Sequence, residues 1–171
     1  MTRLDVPTIE TDRLILRGPK EQDFEAFAAF GASARAKWVG GPYPRHRAWG
    51  GFLNLFGHWA LRGYGWWMLE DKSGGAVAGR VGSAMHDGWD EPELGWHLFG
   101  GFEGKGLAFE AAKAVRQHAA RHQGLDGVIS YVNPENTRSV KLAERLDATY
   151  ERDTELLGGL ACVYRHPKVA S

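Results

Sequence analysis

One cysteine, Cys162, stands in 171 residues. Its isolation excludes an internal disulfide and any cysteine-only metal site. In the strand-like run 160-LACVYRH-166 it reads as a buried, inert thiol. Charge of one sign is also missing: Lys+Arg and Asp+Glu number 21 each, for a formal net charge of zero. That balance argues against a dedicated nucleic-acid binder, which carries a basic excess, although a local basic patch stays open. No apolar run approaches about 18 residues, and the opening MTRLDVPTIETDRLILR has no apolar core of signal-peptide length. The expectation is a soluble, cytoplasmic protein with no membrane or nucleic-acid partner. The seven histidines are scattered without metal-ligand spacing, so no metal is expected. Repeats and low-complexity linkers are absent as well. What is present, 43% hydrophobic and 25% charged residues, suits one globular domain over residues 1–171.

Periodicity gives the order of elements. Residues 11-TDRLILRG-18 alternate, with Leu14 and Leu16 on one side, and Gly18-Pro19 closes the strand. Phe24, Phe27, Ala28 and Phe30 fall near helical spacing over 21–32. The break 40-GGPYPR-45 precedes a second helix over roughly 47–62, with Trp49, Phe52, Leu53, Phe56 and Trp59 on a broad apolar stripe. Residues 64–75 and 76–86 read as a hairpin, and 93-ELGWHLF-99 as a third strand of the meander. A helix is predicted over 107–122, buried through Leu107, Ala111, Ala114, Val115, His118 and Ala119 and closed by Gly124. A strand over 127–132, a helix capped by Asn136 or Thr137, and two strands joined at Gly158-Gly159 complete the chain. The class is α+β, with a mixed, mostly antiparallel central sheet and flanking helices.

Between 93–99 and the helix at 107 lies 100-GGFEGKG-106, which holds four glycines. Such a turn opening a helix exposes backbone N–H groups to an anion. A magnesium-nucleotide loop needs Ser or Thr after its lysine, and here Gly106 follows Lys105. The dinucleotide fingerprint fails too, because counting from Gly104 puts Phe109 where its last glycine belongs. A pyrophosphate turn remains, with Gly104, Gly106 and Ala108 leaving the backbone open around Leu107 and Lys105 adding positive charge. An ordinary strand–turn–helix corner is the competing reading.

The stretch 93-ELGWHLFGGFEGKGLAFEA-111 resembles the central acetyl-CoA signature of the GNAT N-acetyltransferases, in the branch of the RimJ/RimL-type ribosomal-protein N-terminal acetyltransferases. The opening 10-ETDRLILRGPKEQDFEAF-27 and the later 133-NPENTRSVKLAERLDA-148 are similar to further segments of that branch. The matches keep the family's order and span most of the chain. Two residues depart from the pattern. Glu103 stands at the first position of the turn, and a carboxylate there repels a pyrophosphate unless it points outward. Asp147 replaces the glycine after the last helix, a left-handed position that Asp tolerates better than most residues.

The resemblance implies a GNAT-like fold with acetyl-CoA as co-substrate and no metal. It also implies direct attack of an amine on the thioester, without an acyl-enzyme. The acceptor is a primary amine, either a small molecule or a protein N-terminus, and family members commonly self-associate, so a homodimer is one expected state. The backbone N–H of Leu98 or Phe99 is the expected oxyanion donor. Ser139 aligns with the hydroxyl that protonates the departing thiolate, and Asn136 with the pantetheine contact. Strand alternation puts Glu93, Gly95 and His97 on one face, which makes Glu93 and His97 the candidate bases. Aromatics in 38-WVGGPYPR-45 and 86-HDGWDE-91 are candidates for lining an acceptor pocket. A non-catalytic acyl-CoA-binding or sensing domain on the same fold is the alternative, and Glu103 is the residue that favours it.

Overall fold

The computed structural model describes residues 4–169. Residues 1–3 of the opening segment, and the ends of the 1–171 domain expectation, lie outside it. Eight strands form one sheet: β1 (Ile9–Glu10), β2 (Leu14–Arg17), β3 (Trp66–Asp71), β4 (Val77–Ala84), β5 (Glu93–Leu98), β6 (Ile129–Val132), β7 (Thr149–Leu156) and β8 (Gly159–Arg165). Their order is β1-β2-β3-β4-β5-β6-β8-β7, and every neighbouring pair is antiparallel except β5–β6. The helices are α1 (Phe24–Ala32), α2 (Arg45–Arg62), α3 (Leu107–His122) and α4 (Thr137–Arg145). No helix of the described residues is long and apolar enough to cross a membrane.

Both faces of the sheet are covered, which explains the unbroken apolar run in β3. Trp67 and Leu69 join the core built with Leu107, Ala111, Ala112 and Val115 of α3. Trp66 and Met68 join the core built with Phe24, Phe27, Phe52 and Leu55 of α1 and α2. Two helical faces differ from the sequence reading. On α2, Trp49 and Leu53 are 38% and 48% exposed, and Ala48, Phe52, Leu55, His58 and Trp59 turn inward instead. On α3, Ala112 takes the buried place expected of Ala114 and His118. His118 lies at the margin, edge-on to Trp67 with ring centroids 5.5 Å apart. Asp147 adopts φ 61, the left-handed conformation its position requires.

A polar network under the sheet fixes β6 beside β5. Leu94 C=O can only accept, so the Ser130 hydroxyl donates to it. Ser130 Oγ in turn accepts from His166 Nε2 at 2.8 Å. This leaves His166 Nδ1 as the bare nitrogen, facing Arg116 Nη1 at 3.5 Å. Burial, with the Arg116 charge beside it, pushes the His166 imidazole down to about 4 from an ordinary 6.5. Between those values the unfolded chain takes up a proton that the folded chain refuses. Stability therefore falls as pH drops through that window, by on the order of 3 kcal/mol. Urea unfolding at pH 7 and pH 4.5 checks it: His166→Gln is expected to be less stable at pH 7 yet to lose less on acidification.

Candidate functional site

The glycine turn ends on Gly106, which occupies the N-cap of α3 at φ 78 and brings no capping side chain. The first bond closing the helix runs from Glu110 N–H to Gly106 C=O, so the amides of Leu107, Ala108 and Phe109 have no partner inside the helix. The Leu107 side chain is buried, and only its amide can serve the turn. Arg13 clamps the turn from behind: Nη1 donates to Lys105 C=O at 2.7 Å and Nε to Glu110 at 2.7 Å. Thr11 Oγ1 donates to the same Glu110 carboxylate. Glu110, read from the sequence as a first-turn dipole residue, thus braces the corner.

Glu103 is neutralised within the fold. Arg35 Nε and Nη2 donate to its two oxygens at 2.7 and 2.6 Å, and Arg138 Nη1 lies 3.6 Å away. Two guanidinium groups meet one carboxylate here, so the corner keeps a positive surplus. The repulsion anticipated for a pyrophosphate is removed by pairing.

Beside the turn the sheet opens. The β5–β6 pairing registers at Glu93↔Ile129 alone. Beyond it, side chains replace ladder bonds: Ser130 donates to Leu94 C=O, and Glu93 Oε2 accepts from Tyr131 N–H at 2.9 Å. Phe99 N–H donates to Ala78 C=O of the β4 side at 2.9 Å, so it is not available to an oxyanion. Ladder alternation then aims the amides of Trp96 and Leu98 the other way, into the opening toward β6. Of the two expected donors Leu98 remains, and Trp96 N–H joins it.

Ser139 lies across that opening, in the first turn of α4. Its Oγ accepts from Trp96 Nε1 at 3.2 Å and from Asn136 Nδ2 at 3.0 Å. A serine hydroxyl has two lone pairs and one proton. Both lone pairs are occupied, so the proton is free to be donated elsewhere. Asn136 also caps the helix, because Oδ1 accepts from Ser139 N–H.

Glu93 and His97 occupy the other face, under α1 and α2. Burial pushes the Glu93 carboxyl up to about 8, against the opposing pull of the Tyr131 N–H and the Arg80 charge. His97 is stacked against Trp66 and Phe30, with ring centroids 5.1 and 5.8 Å away. Its Nδ1 accepts from Arg80 Nε at 3.0 Å. Burial, reinforced by the Arg80 charge, holds the imidazole well below its ordinary range. A neutral ring whose Nδ1 accepts must carry its proton on Nε2. His97 is therefore a donor in this arrangement, which leaves Glu93 as the remaining candidate base.

Tyr43 and Trp89 come from the two loops singled out for an acceptor pocket, and both pack onto this apolar face. Trp66 lies flat across β5, where a Cβ on Gly95 would run into its indole. Sequence reasoning missed Arg80, Trp96 and Ser130. The signal for Arg80 was a single charged residue in the strand 77-VAGRVGSA-84.

A family profile described as "Acetyltransferase (GNAT) domain" matches residues 13–149. Among solved structures, the acetyltransferase from Agrobacterium tumefaciens str. C58 is 36% identical, with a TM-score of 0.89 over 98% of each chain. A GnaT-family acetyltransferase from Bordetella pertussis is 24% identical, with a TM-score of 0.81 over 94% of this chain and 99% of that one. RimL, a ribosomal L7/L12 alpha-N-protein acetyltransferase in complex with coenzyme A, is 18% identical, with a TM-score of 0.77 over 95% and 98%. The last two likenesses are of fold.

Proposed function

This chain belongs to the GNAT acetyltransferase family, and from that premise we propose that it moves the acetyl group of acetyl-CoA to a primary amine by direct attack in a ternary complex. The observation that carries the proposal is the Ser139 hydroxyl beside the opened sheet edge, whose oxygen is saturated as an acceptor and whose proton is left free to donate. The pyrophosphate would rest on the amides following Gly104 and Gly106, with Lys105, Arg35 and Arg138 supplying positive charge. The thioester would lie in the gap between β5 and β6. There the Leu98 or Trp96 amide takes the developing oxyanion.

The amine nitrogen adds to the thioester carbonyl, and the tetrahedral centre collapses to an amide and coenzyme A thiolate. The amine proton passes to the Glu93 carboxylate and Ser139 O–H supplies a proton to the sulfur; Glu93 then releases its proton to solvent and the Ser139 oxygen regains one, which restores both groups. Cys162 takes no part: its Sγ donates to Asp153 in the β7–β8 hairpin, and burial raises its pKa.

The experiment is thiol release from acetyl-CoA with a panel of primary amines, read across pH. Intersecting double-reciprocal plots are expected, as a ternary complex requires. A base must be ionised to work, so kcat/KM should rise with pH through about 8 and level off above it. The rate is expressed per unprotonated amine, because an acceptor with a pKa of about 10 otherwise adds its own rise across the whole window. Glu93→Gln keeps an acceptor for Tyr131 N–H but cannot take a proton. It is expected to lose the limb near 8 and about 100-fold in kcat. Tight coenzyme A binding without thiol release on any amine would replace this reading with the acyl-CoA-binding domain. Pairing by Arg35 already removes the feature that favoured that alternative.

A further inference from the structure

The apolar face under α1 and α2 holds a cation that no carboxylate touches. Arg80 projects from β4 opposite His97, and its guanidinium carbon lies 5.0 Å from the Phe27 ring centroid and 4.5 Å from that of Trp66. Nε is spent on His97 Nδ1. Neither Nη1 nor Nη2 makes a hydrogen bond to any described residue, and no carboxylate among those residues touches the group, although the Glu93 charge acts on it from a distance. Other arginines of this sheet are treated differently. Arg17 holds Asp23 and Glu70, and Arg165 holds Glu91 and Glu151. Burial draws the Arg80 guanidinium down to about 10, and the opposing pull of Tyr43 and Glu93 offsets this only in part. Such a group is retained against its desolvation when something else completes it.

We propose that Arg80 anchors an anionic group of the acceptor, so that the substrate class is primary amines that also carry a carboxylate or a phosphate. The inference rests on the transferase reading above and narrows it. The two free Nη groups form one edge of a planar fork, and that edge matches two oxygens of a carboxylate or phosphate. Aromatic rings against the half-buried guanidinium hold it in place. His97 fixes its rotation through Nε. This gives the neutral histidine a positioning role where the sequence had offered a base. Arg80 and Glu93 sit on one face of adjacent strands, at the register pairs Arg80↔His97 and Ala84↔Glu93. An acceptor held by its anion on Arg80 therefore presents its amine along β5 toward the carboxyl.

The test uses matched pairs in the thiol-release assay: glycine, β-alanine and γ-aminobutyrate against alkylamines of equal length, and phosphoethanolamine against ethanolamine. The anionic member of at least one pair is expected to win by roughly 30-fold or more in kcat/KM. The carboxylate and phosphate arms tell the two groups apart. Arg80→Gln should close that gap through KM for the acceptor, and Arg80→Lys should restore part of it. Coenzyme A titration of each variant reports that the fold stands. Binding of succinate and of inorganic phosphate, followed by calorimetry, reads the same site without turnover. Saturable binding lost in Arg80→Gln supports the anchor even if no amine on the panel reacts. Equal use of both members of every pair, with neither anion bound, overturns it. Turnover without preference sinks only the anchor, whereas no turnover on any amine sinks the transferase reading.

Discussion

Gly106→Val is expected to raise the KM for acetyl-CoA by on the order of 100-fold while leaving kcat at saturation within a few-fold. Gly106 holds φ 78 at the N-cap of α3. A side chain in that left-handed region costs about 1–2 kcal/mol, and a branched Cβ is the poorest fit. Crowding is the smaller factor, because the nearest atom to an added Cβ is Arg13 Nη2 at 3.4 Å, an ordinary contact. The damage comes from the backbone. To escape the strain the residue turns toward negative φ, and the amides of Leu107, Ala108 and Phe109 swing away from a common point. Gly106→Ala should fall between the two, near 10-fold. Gly124 supplies the control. It is left-handed at the other end of α3, with φ 67, so Gly124→Val loosens the same helix far from the turn. Equal KM changes in both variants, or none in Gly106→Val, would take the turn out of acetyl-CoA binding.

Local pattern and tertiary contact divide what the sequence discloses. The bounds of α3 were legible because a glycine turn, a helical period and a closing glycine agree. In the structure Leu125 N–H reaches back to Ala119 C=O across Gly124. The β3–β4 hairpin and the left-handed Asp147 were legible for the same reason, since each is decided within a few residues. Trp49 and Leu53 misled because a wide aromatic stripe on α2 exceeds what α1 and the sheet can cover, and the alanine Ala48 carries the contact instead. The chemistry of the site was hidden in pairs distant along the chain. Arg35 meets Glu103, Trp96 meets Ser139, Arg80 meets His97 and Glu93 meets Tyr131. Alternation could put His97 on the right face. Only the position of Arg80 Nε determines which nitrogen keeps the proton, and that turns a candidate base into a donor.

Ser139→Ala is expected to lower kcat about 100-fold and to change the KM for acetyl-CoA by no more than a few-fold. Asn136 caps α4 through the backbone N–H of residue 139, which alanine retains, so the helix and its place against β6 and α3 survive. The lost atom is an oxygen that accepts from Trp96 and Asn136 and has its proton to spare. Ground-state binding uses that proton little, because a thioester sulfur is a poor acceptor. A departing thiolate uses it fully, since its conjugate thiol titrates near 8.5 and the hydroxyl is the donor at hand. An interaction made in the transition state alone appears in kcat. Ser139→Thr keeps the hydroxyl and should recover most of the rate. Trp96→Phe frees one lone pair, lets the hydroxyl rotate, and should fall between wild type and Ser139→Ala. A defect confined to KM would leave Ser139 a binding contact and helix-cap partner. The proton for the thiolate would then have to come from water.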